Sequence, residues 1–339
     1  MSPPYLSVIH WLFKVLSKAG LPDTEAQFKA APGTNISRPT FNELPLRKED
    51  PKGSAWQFWG KDDDLPLDVP LKPINPRRKP CVHTFIAKGH ANDDESSSHW
   101  DGLRHFPYKE TAQFYNGITQ EELLVTKRMG IQNVAIKPIV TRGVLLDWYS
   151  FAVKNGLPHR AFTNQAIPLK QLLQVAREQR VTFRRGDVRI IRTGWAAAYS
   201  KLSTEEKERL GGRYDRASIG VEATEEFFRW HWEQQFAAVA SDTVAYEAWP
   251  SPKPWGVCMH EVLLSGWGTP IGECWDLEEL SETCRKLNRW TFLLTSQPLN
   301  LPGGVAYGSW FRSQCGLLSW PSDGALPVFC RQQRQTSPE

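Results

Sequence analysis

From residue 119 to residue 296 the chain alternates short apolar runs with segments of helical periodicity, and few architectures accept that order. Thr119 opens a helix through about Met129, with Glu122 placed to complete a capping box. Asn133–Ile139 reads as a strand, and a second apolar run, Val144–Leu146, comes after a turn at Arg142–Gly143. Pro168 begins a helix to about Arg180 whose inner side carries Leu169, Leu172, Leu173 and Val175 or Ala176. Val188–Arg192 is a buried strand ending at Thr193-Gly194-Trp195. Two helices, Thr204–Leu210 and the aromatic-rich Glu222–Ala238, precede a strand at Thr243–Glu247. Val257–Leu264 is apolar, with helix and strand both open. Asp276 caps a helix through about Arg289, and Phe292–Ser296 closes the series as a strand; Val82–Ala87 supplies one more strand ahead of it. Strands interleaved with helices predict an α/β or mixed α+β fold. The sequence contains neither a GxGxxG turn nor a Walker loop.

With 339 residues, 40% of them hydrophobic, the chain can bury a large core, and no low-complexity linker divides its middle. A single catalytic domain over residues 53–306 is expected. Residues 1–52 form an N-terminal extension. Tyr5, Val8, Ile9, Leu12 and Leu16 mark one helical face, and Pro22, Pro32, Gly33, Pro39 and Pro45 break the rest of the extension into an irregular arm. The apolar stretch Tyr5–Leu16 is too short to span a bilayer and lacks the basic start of a secretory signal, so no membrane association is expected. Residues 307–339 show no periodicity and are expected to be a tail.

The net charge of +4 is small, and basic pairs such as Arg77–Arg78 stand beside acidic stretches such as Asp62–Asp64. That pattern argues against nucleic-acid binding, which needs a basic face. The six cysteines, Cys81, Cys258, Cys274, Cys284, Cys315 and Cys330, form no CxxC pair. They read as scattered reduced thiols of a cytoplasmic protein.

The densest chemistry lies in Ser96-Ser97-Ser98-His99-Trp100-Asp101-Gly102-Leu103-Arg104-His105-Phe106. Residues two apart on an extended chain face the same side, so His99 and Asp101 can reach one ion together. Gly102 lets the backbone turn and return His105 toward the same point. Imidazole with carboxylate suits Zn²⁺ or Mn²⁺, and an imidazole outside the ligand set is the proton partner that activated water needs. Spacing alone leaves a second reading open, a surface loop whose histidines make local hydrogen bonds.

The segment resembles a variant of the metal motif of the cyclase family, His-x-Gly-Thr-His-x-Asp-x-x-x-His, whose members include kynurenine formamidases and isatin hydrolases. His99, Asp101 and His105 match its second histidine, its aspartate and its last histidine. Glu95 stands where the first histidine belongs, and Ser97–Ser98 replace Gly-Thr. The Trp-Asp-Gly-Leu-Arg-His-Phe form resembles the fungal branch. Further stretches resemble the family: Ala55-Trp56-Gln57-Phe58-Trp59-Gly60-Lys61, Thr141–Asp147, Gly186-Asp187-Val188 through Trp195, His260 followed by Glu273, and Pro298–Gly304. The likeness runs from about residue 54 to 305.

The resemblance implies a mixed sheet or barrel-like core with flanking helices, and a centre holding one or two divalent ions. His99, Asp101, His260 and Glu273 would be ligands, Glu95 would substitute for the missing histidine, and His105 would be the general acid/base. Each has a plainer reading. His260, beside Val262, Leu263 and Leu264, can be a core histidine, and Glu273 an acid placed ahead of a helix. Trp56 and Trp59 can stack on an aromatic substrate or belong to the core. His83 and His90 lie near the loop but outside the motif's register, and Trp230–His231–Trp232 is expected to pack inside its helix. The activity implied is hydrolysis of an amide, cyclic amide or ester of a small molecule, of the N-formylkynurenine type, by a homodimer. The alternatives are a ring-closing cyclase or dehydratase of polyketide-like metabolism at the same centre, and a metal-free binding protein.

Overall fold

The computed structural model of the protein describes residues 38–58, 98–298, 300, 303–308, 315–317 and 328–330. The chain divides into two compact units, Met1–Pro39 and Thr40–Glu339, and only Arg38 and Pro39 of the first are among the described residues. Every described strand and helix belongs to the second unit. The readings made for Val82–Ala87, Glu95, Trp59, His83 and His90 lie outside the described residues.

The strands are β1 (His99–Asp101), β2 (Ile139–Leu146), β3 (Ala166–Ile167), β4 (Val188–Ile191), β5 (Gly220–Val221), β6 (Ala238–Ser241), β7 (Ile271–Glu273), β8 (Thr291–Ser296), β9 (Ala306–Gly308), β10 (Cys315–Leu317) and β11 (Val328–Cys330). The helices are α1 (Gln120–Val125), α2 (Gln132–Ile136), α3 (Trp148–Lys154), α4 (Leu169–Glu178), α5 (Trp195–Tyr199), α6 (Thr204–Gly211), α7 (Glu225–Gln234) and α8 (Glu278–Lys286), with a π-helical turn at Glu261–Gly266. Nine strands form one sheet in the order β11-β10-β8-β2-β4-β6-β7-β1-β9, and β3 pairs with β5 apart from it. Strands β2, β4, β6 and β7 are parallel, while β8 and β1 flank them antiparallel. Of the two forms expected, this is the mixed sheet, and its hydrogen-bonded order has two ends.

The central strands are buried on both faces, as parallel strands covered by crossover helices must be. Alternation divides their side chains. Leu146, Ile191 and Val239 join a core with Leu169, Leu172 and Val175 of α4, Phe227, Phe228 and Trp232 of α7, and Val262–Leu264. Leu145, Val188, Ile190, Ala238 and Ala240 join a second core with Trp100, Trp275, Phe292, and Leu280 and Cys284 of α8. The sheet is therefore the middle of three layers.

Several elements differ from their sequence reading. Asn133–Ile136 lies in α2, and β2 begins only at Ile139, so Arg142 and Gly143 are strand residues; Gly143 pairs with Val188 on one side and Phe292 on the other. The long helix over Glu222–Ala238 stops at Gln234, because Gln235 adopts a left-handed conformation (φ 57°), and Ala238 opens β6. Thr243–Glu247 is not a strand of the sheet. Tyr246 has φ 53°, and the segment is held by bonds to the β5 region, including Val221 N–H to the Tyr246 carbonyl and the Thr243 hydroxyl to Ile219 O. α1 is shorter than expected but keeps its capping box, Thr119 with Glu122. α3 and α5 were not foreseen.

The body also begins earlier than residue 53. Phe41 is buried against Trp255 and Trp267, with ring centroids 5.5 and 6.5 Å away. At the other end, β10 and β11 extend the sheet from β8 within the stretch expected to be a tail. Among the described residues, no helix is long and apolar enough to cross a membrane.

Candidate metal centre

β1 sets the first part of the site. Trp100 is fully buried on the α8 side, edge-on to Trp275 at 5.1 Å, and its indole N–H donates to Ser296 Oγ at 2.8 Å. Period-two alternation then turns His99 and Asp101 to the opposite face. Both are buried. β7 lies antiparallel beside β1 with Glu273 directly opposite His99, so the two side chains share that face. Between them Gly272 opposes Trp100; a Cβ there would come within 2.8 Å of Ala240 Cβ and Trp275 Nε1, so only glycine admits the indole.

The loop after β1 returns His105. Gly102 N–H donates to Val305 O at 3.1 Å, and a Cβ at Gly102 would meet that same oxygen at 2.9 Å. His105 N–H donates back to Gly102 O at 3.0 Å, which closes a tight turn. Glycine is needed here for close approach of two backbones, not for a left-handed φ. The Ser265 hydroxyl donates to Phe106 O at 2.6 Å and ties the loop to the π-helical turn that His260 precedes. π-helical turns recur at functional sites because they re-aim side chains.

These elements bring the expected residues together. His99 Nε2 lies 3.4 Å from Asp101 Oδ1 and 3.6 Å from Glu273 Oε2. His260 Nε2 lies 3.1 Å from Glu273 Oε1 and 3.7 Å from Asp101 Oδ2. His105 Nδ1 lies 3.7 Å from Asp101 Oδ1. Two overlapping sets, His99–Asp101–Glu273 and Asp101–His105–His260, each have their donor atoms within 4.8 Å of one another. His260 is thus a core histidine by burial and a site residue by direction. Glu273 ends a strand rather than preceding a helix directly.

The donor set fits a divalent cation. Both Asp101 oxygens and Glu273 Oε1 are buried and accept no hydrogen bond among the described residues. Buried carboxylate oxygens left without donors are costly. Imidazoles and carboxylates converging in this way are N and O donors of the kind that hold a divalent cation. The charges agree. Burial raises Asp101, but the His105, His99 and His260 imidazoles outweigh it and hold its carboxyl at about 2. Burial lowers His99, and Asp101 and Glu273 overcome it, placing its imidazole well above the ordinary range. Burial likewise lowers His260, and Glu247 and Glu273 overcome it. The carboxylates favour positive charge among them, which a dication bound there would supply.

One residue bonded to the cluster escaped sequence reading. Glu247 is fully buried, and its Oε1 accepts from both the backbone N–H and the Nδ1 of His260. They are thirteen positions apart in the chain, and nothing in that spacing marks a pair. Trp56, in contrast, was expected at the substrate. It is 4% exposed, packs edge-on to Tyr108 at 6.2 Å, and donates its indole N–H to Ser265 O at 2.6 Å. Its ring belongs to the core behind the site.

Comparison with known proteins agrees with this architecture. The family model described as "Putative cyclase" matches residues 38–248, more than half of the chain, and that span includes His99, Asp101, His105 and Glu247. The chain belongs to the cyclase family. The crystal structure of a novel cyclase is similar over 63% of this chain and 67% of its own, with 29% identity and a TM-score of 0.52. Isatin hydrolase A from Ralstonia solanacearum matches over 62% of this chain and 68% of its own, at 17% identity and a TM-score of 0.44. Isatin hydrolase A from Labrenzia aggregata, bound to benzyl benzoate, matches over 72% and 87%, at 16% identity and a TM-score of 0.43. No curated protein matches the sequence.

Proposed function

We propose that the protein is a metal-dependent hydrolase of small-molecule amides or cyclic amides, of the N-formyl aryl amide type. The reading rests on one observation: His99, Asp101, His260 and Glu273 come from three separate stretches of chain and converge with buried carboxylate oxygens that no donor among the described residues satisfies. Those four residues would hold the ion, with Asp101 common to both donor sets. A bound Zn²⁺ or Mn²⁺ supplies Lewis acidity, polarising the carbonyl and lowering the pKa of water toward neutrality.

The protein's own groups do the rest. His105 lies at the edge of the cluster and is the least buried of its imidazoles. Its Nδ1 is the nitrogen beside Asp101, so Nε2 takes the proton of the attacking water and returns it to the leaving nitrogen as the carbon–nitrogen bond breaks. Glu247 fixes the His260 ring so that Nε2 faces Asp101 and Glu273.

Metal analysis of purified protein together with turnover of N-formylkynurenine in Zn²⁺ or Mn²⁺ tests the reading. A stoichiometric divalent ion that His99→Ala fails to retain, with metal-dependent hydrolysis, is expected. Stoichiometric metal without hydrolysis of any aryl formamide would overturn the hydrolase assignment, and absence of metal from both proteins would overturn the centre itself.

A further inference from the structure

Outside the donor set, two partly exposed aromatic rings pack beside His260. Phe106 lies 5.2 Å from the His260 ring and Trp249 lies 6.2 Å from it, while His260 itself is 4% exposed. The two rings meet edge-on at 6.5 Å. Phe106 also lies 6.3 Å from the His105 ring. Lys109 reaches over both rings, with its Nζ 5.4 Å from the Phe106 centroid and 5.5 Å from that of Trp249. Its backbone is pinned, because its N–H donates to the buried Glu261 carboxylate at 2.8 Å. The ammonium is exposed and pairs with no carboxylate among the described residues; Lys253, not Lys109, neutralises Glu261.

A corner of two rings offers an edge and a face to a flat apolar ligand. A cation fixed above that corner attracts an anionic group at the ligand's periphery and disfavours a neutral one by comparison. We infer that Phe106, Trp249 and Lys109 form the recognition wall beside the centre, selecting an aromatic substrate that carries an anionic group. The inference deepens the hydrolase reading and rests on it for the site's purpose, but the recognition itself is measurable without turnover.

Calorimetric titration of the full-length protein with 2-aminobenzoate and with its neutral counterpart 2-aminobenzamide tests it. The wild-type protein should bind the anion about fivefold more tightly, in the range of an ion pair at a partly exposed site. Lys109→Gln should bring that ratio close to one. Phe106→Leu should weaken both ligands while preserving the ratio. A wild-type protein without anion preference, or a preference that survives Lys109→Gln, overturns the inference. Hydrolysis of the N-formyl derivatives of the same two compounds separates the two claims. A Lys109-dependent binding preference without hydrolysis of either compound keeps the recognition wall and removes the hydrolase reading. Hydrolysis of both at equal efficiency, untouched by Lys109→Gln, does the reverse.

Discussion

Glu247 Oε1 accepts two hydrogen bonds from one residue, His260, at 3.1 Å from its backbone nitrogen and 2.8 Å from Nδ1. The double contact fixes the position of the His260 main chain and the rotation of its ring at once. It also sets the ring's tautomer, with the proton on Nδ1 and Nε2 left to face Asp101 and Glu273.

We predict that Glu247→Ala weakens divalent-metal binding by roughly 10–100-fold, the usual cost of losing such a partner. Glu247→Gln keeps an acceptor and should lose less. Titration with Co²⁺, read from its visible absorption, measures both. Equal affinity in Glu247→Ala and wild type would show that His260 needs no orienting partner.

Asp101 stands in both donor sets and its oxygens accept no hydrogen bond among the described residues. Asp101→Asn keeps the volume and removes the charge, so the protein should still fold but purify without stoichiometric metal. Elemental analysis beside a circular dichroism spectrum distinguishes this from unfolding.

Asp242, whose carboxylate faces Thr193 and Gly194, offers a pH test. Burial pushes its carboxyl up to about 6, although Thr193 N–H, Thr193 Oγ1 and Gly194 N–H all donate to it. Its folded pKa lies above its unfolded one, so the folded state binds the proton more tightly. The associated stability is present below about pH 4 and is lost as pH rises through about 6, by about 3 kcal/mol. Asp242→Asn cannot ionise and sacrifices one hydrogen bond, a loss of about 1–2 kcal/mol at every pH. The stability gap between wild type and variant should therefore close and then reverse between about pH 4 and about pH 7, leaving the variant the more stable by about 1–2 kcal/mol, in chelator-treated protein unfolded by urea. A gap independent of pH would place the Asp242 carboxyl in its ordinary range.

Trp100 faces away from the centre, so its loss should separate stability from ligation. Trp100→Phe removes the bond to Ser296 and part of the packing on Trp275, at about 1–3 kcal/mol. Metal affinity should change far less than in Glu247→Ala. Thermal unfolding and Co²⁺ titration of the same preparation report the two quantities.

The local chemistry of the site was readable because it depends on adjacent residues. Alternation along His99-Trp100-Asp101 is a consequence of chain geometry alone, whereas the return at Gly102 also needs the approach of the Val305 backbone. Elements with clear caps or strong periodicity, α4, α6 and β4, were readable for the same reason. What failed was decided by tertiary context. β6 looked like the end of a helix until a left-handed Gln235 stopped it, and the segment holding Glu247 looked like a strand although it serves to hold the β5 region and His260. Trp56 resembled a pocket residue because an indole carries no sign of whether its N–H meets a ligand or the Ser265 carbonyl.

β1 has a neighbour on each side, β7 at His99↔Glu273 and β9 at His99↔Gly308. A chain leaving the ribosome presents His99 and Asp101 early, but the strand that bears them has no partner until Ile271–Glu273 and then Ala306–Gly308 have emerged. The two donor sets that share Asp101 are therefore complete only once strands from opposite ends of the sheet-forming sequence have met, so the centre is a product of the finished sheet and not of the local loop.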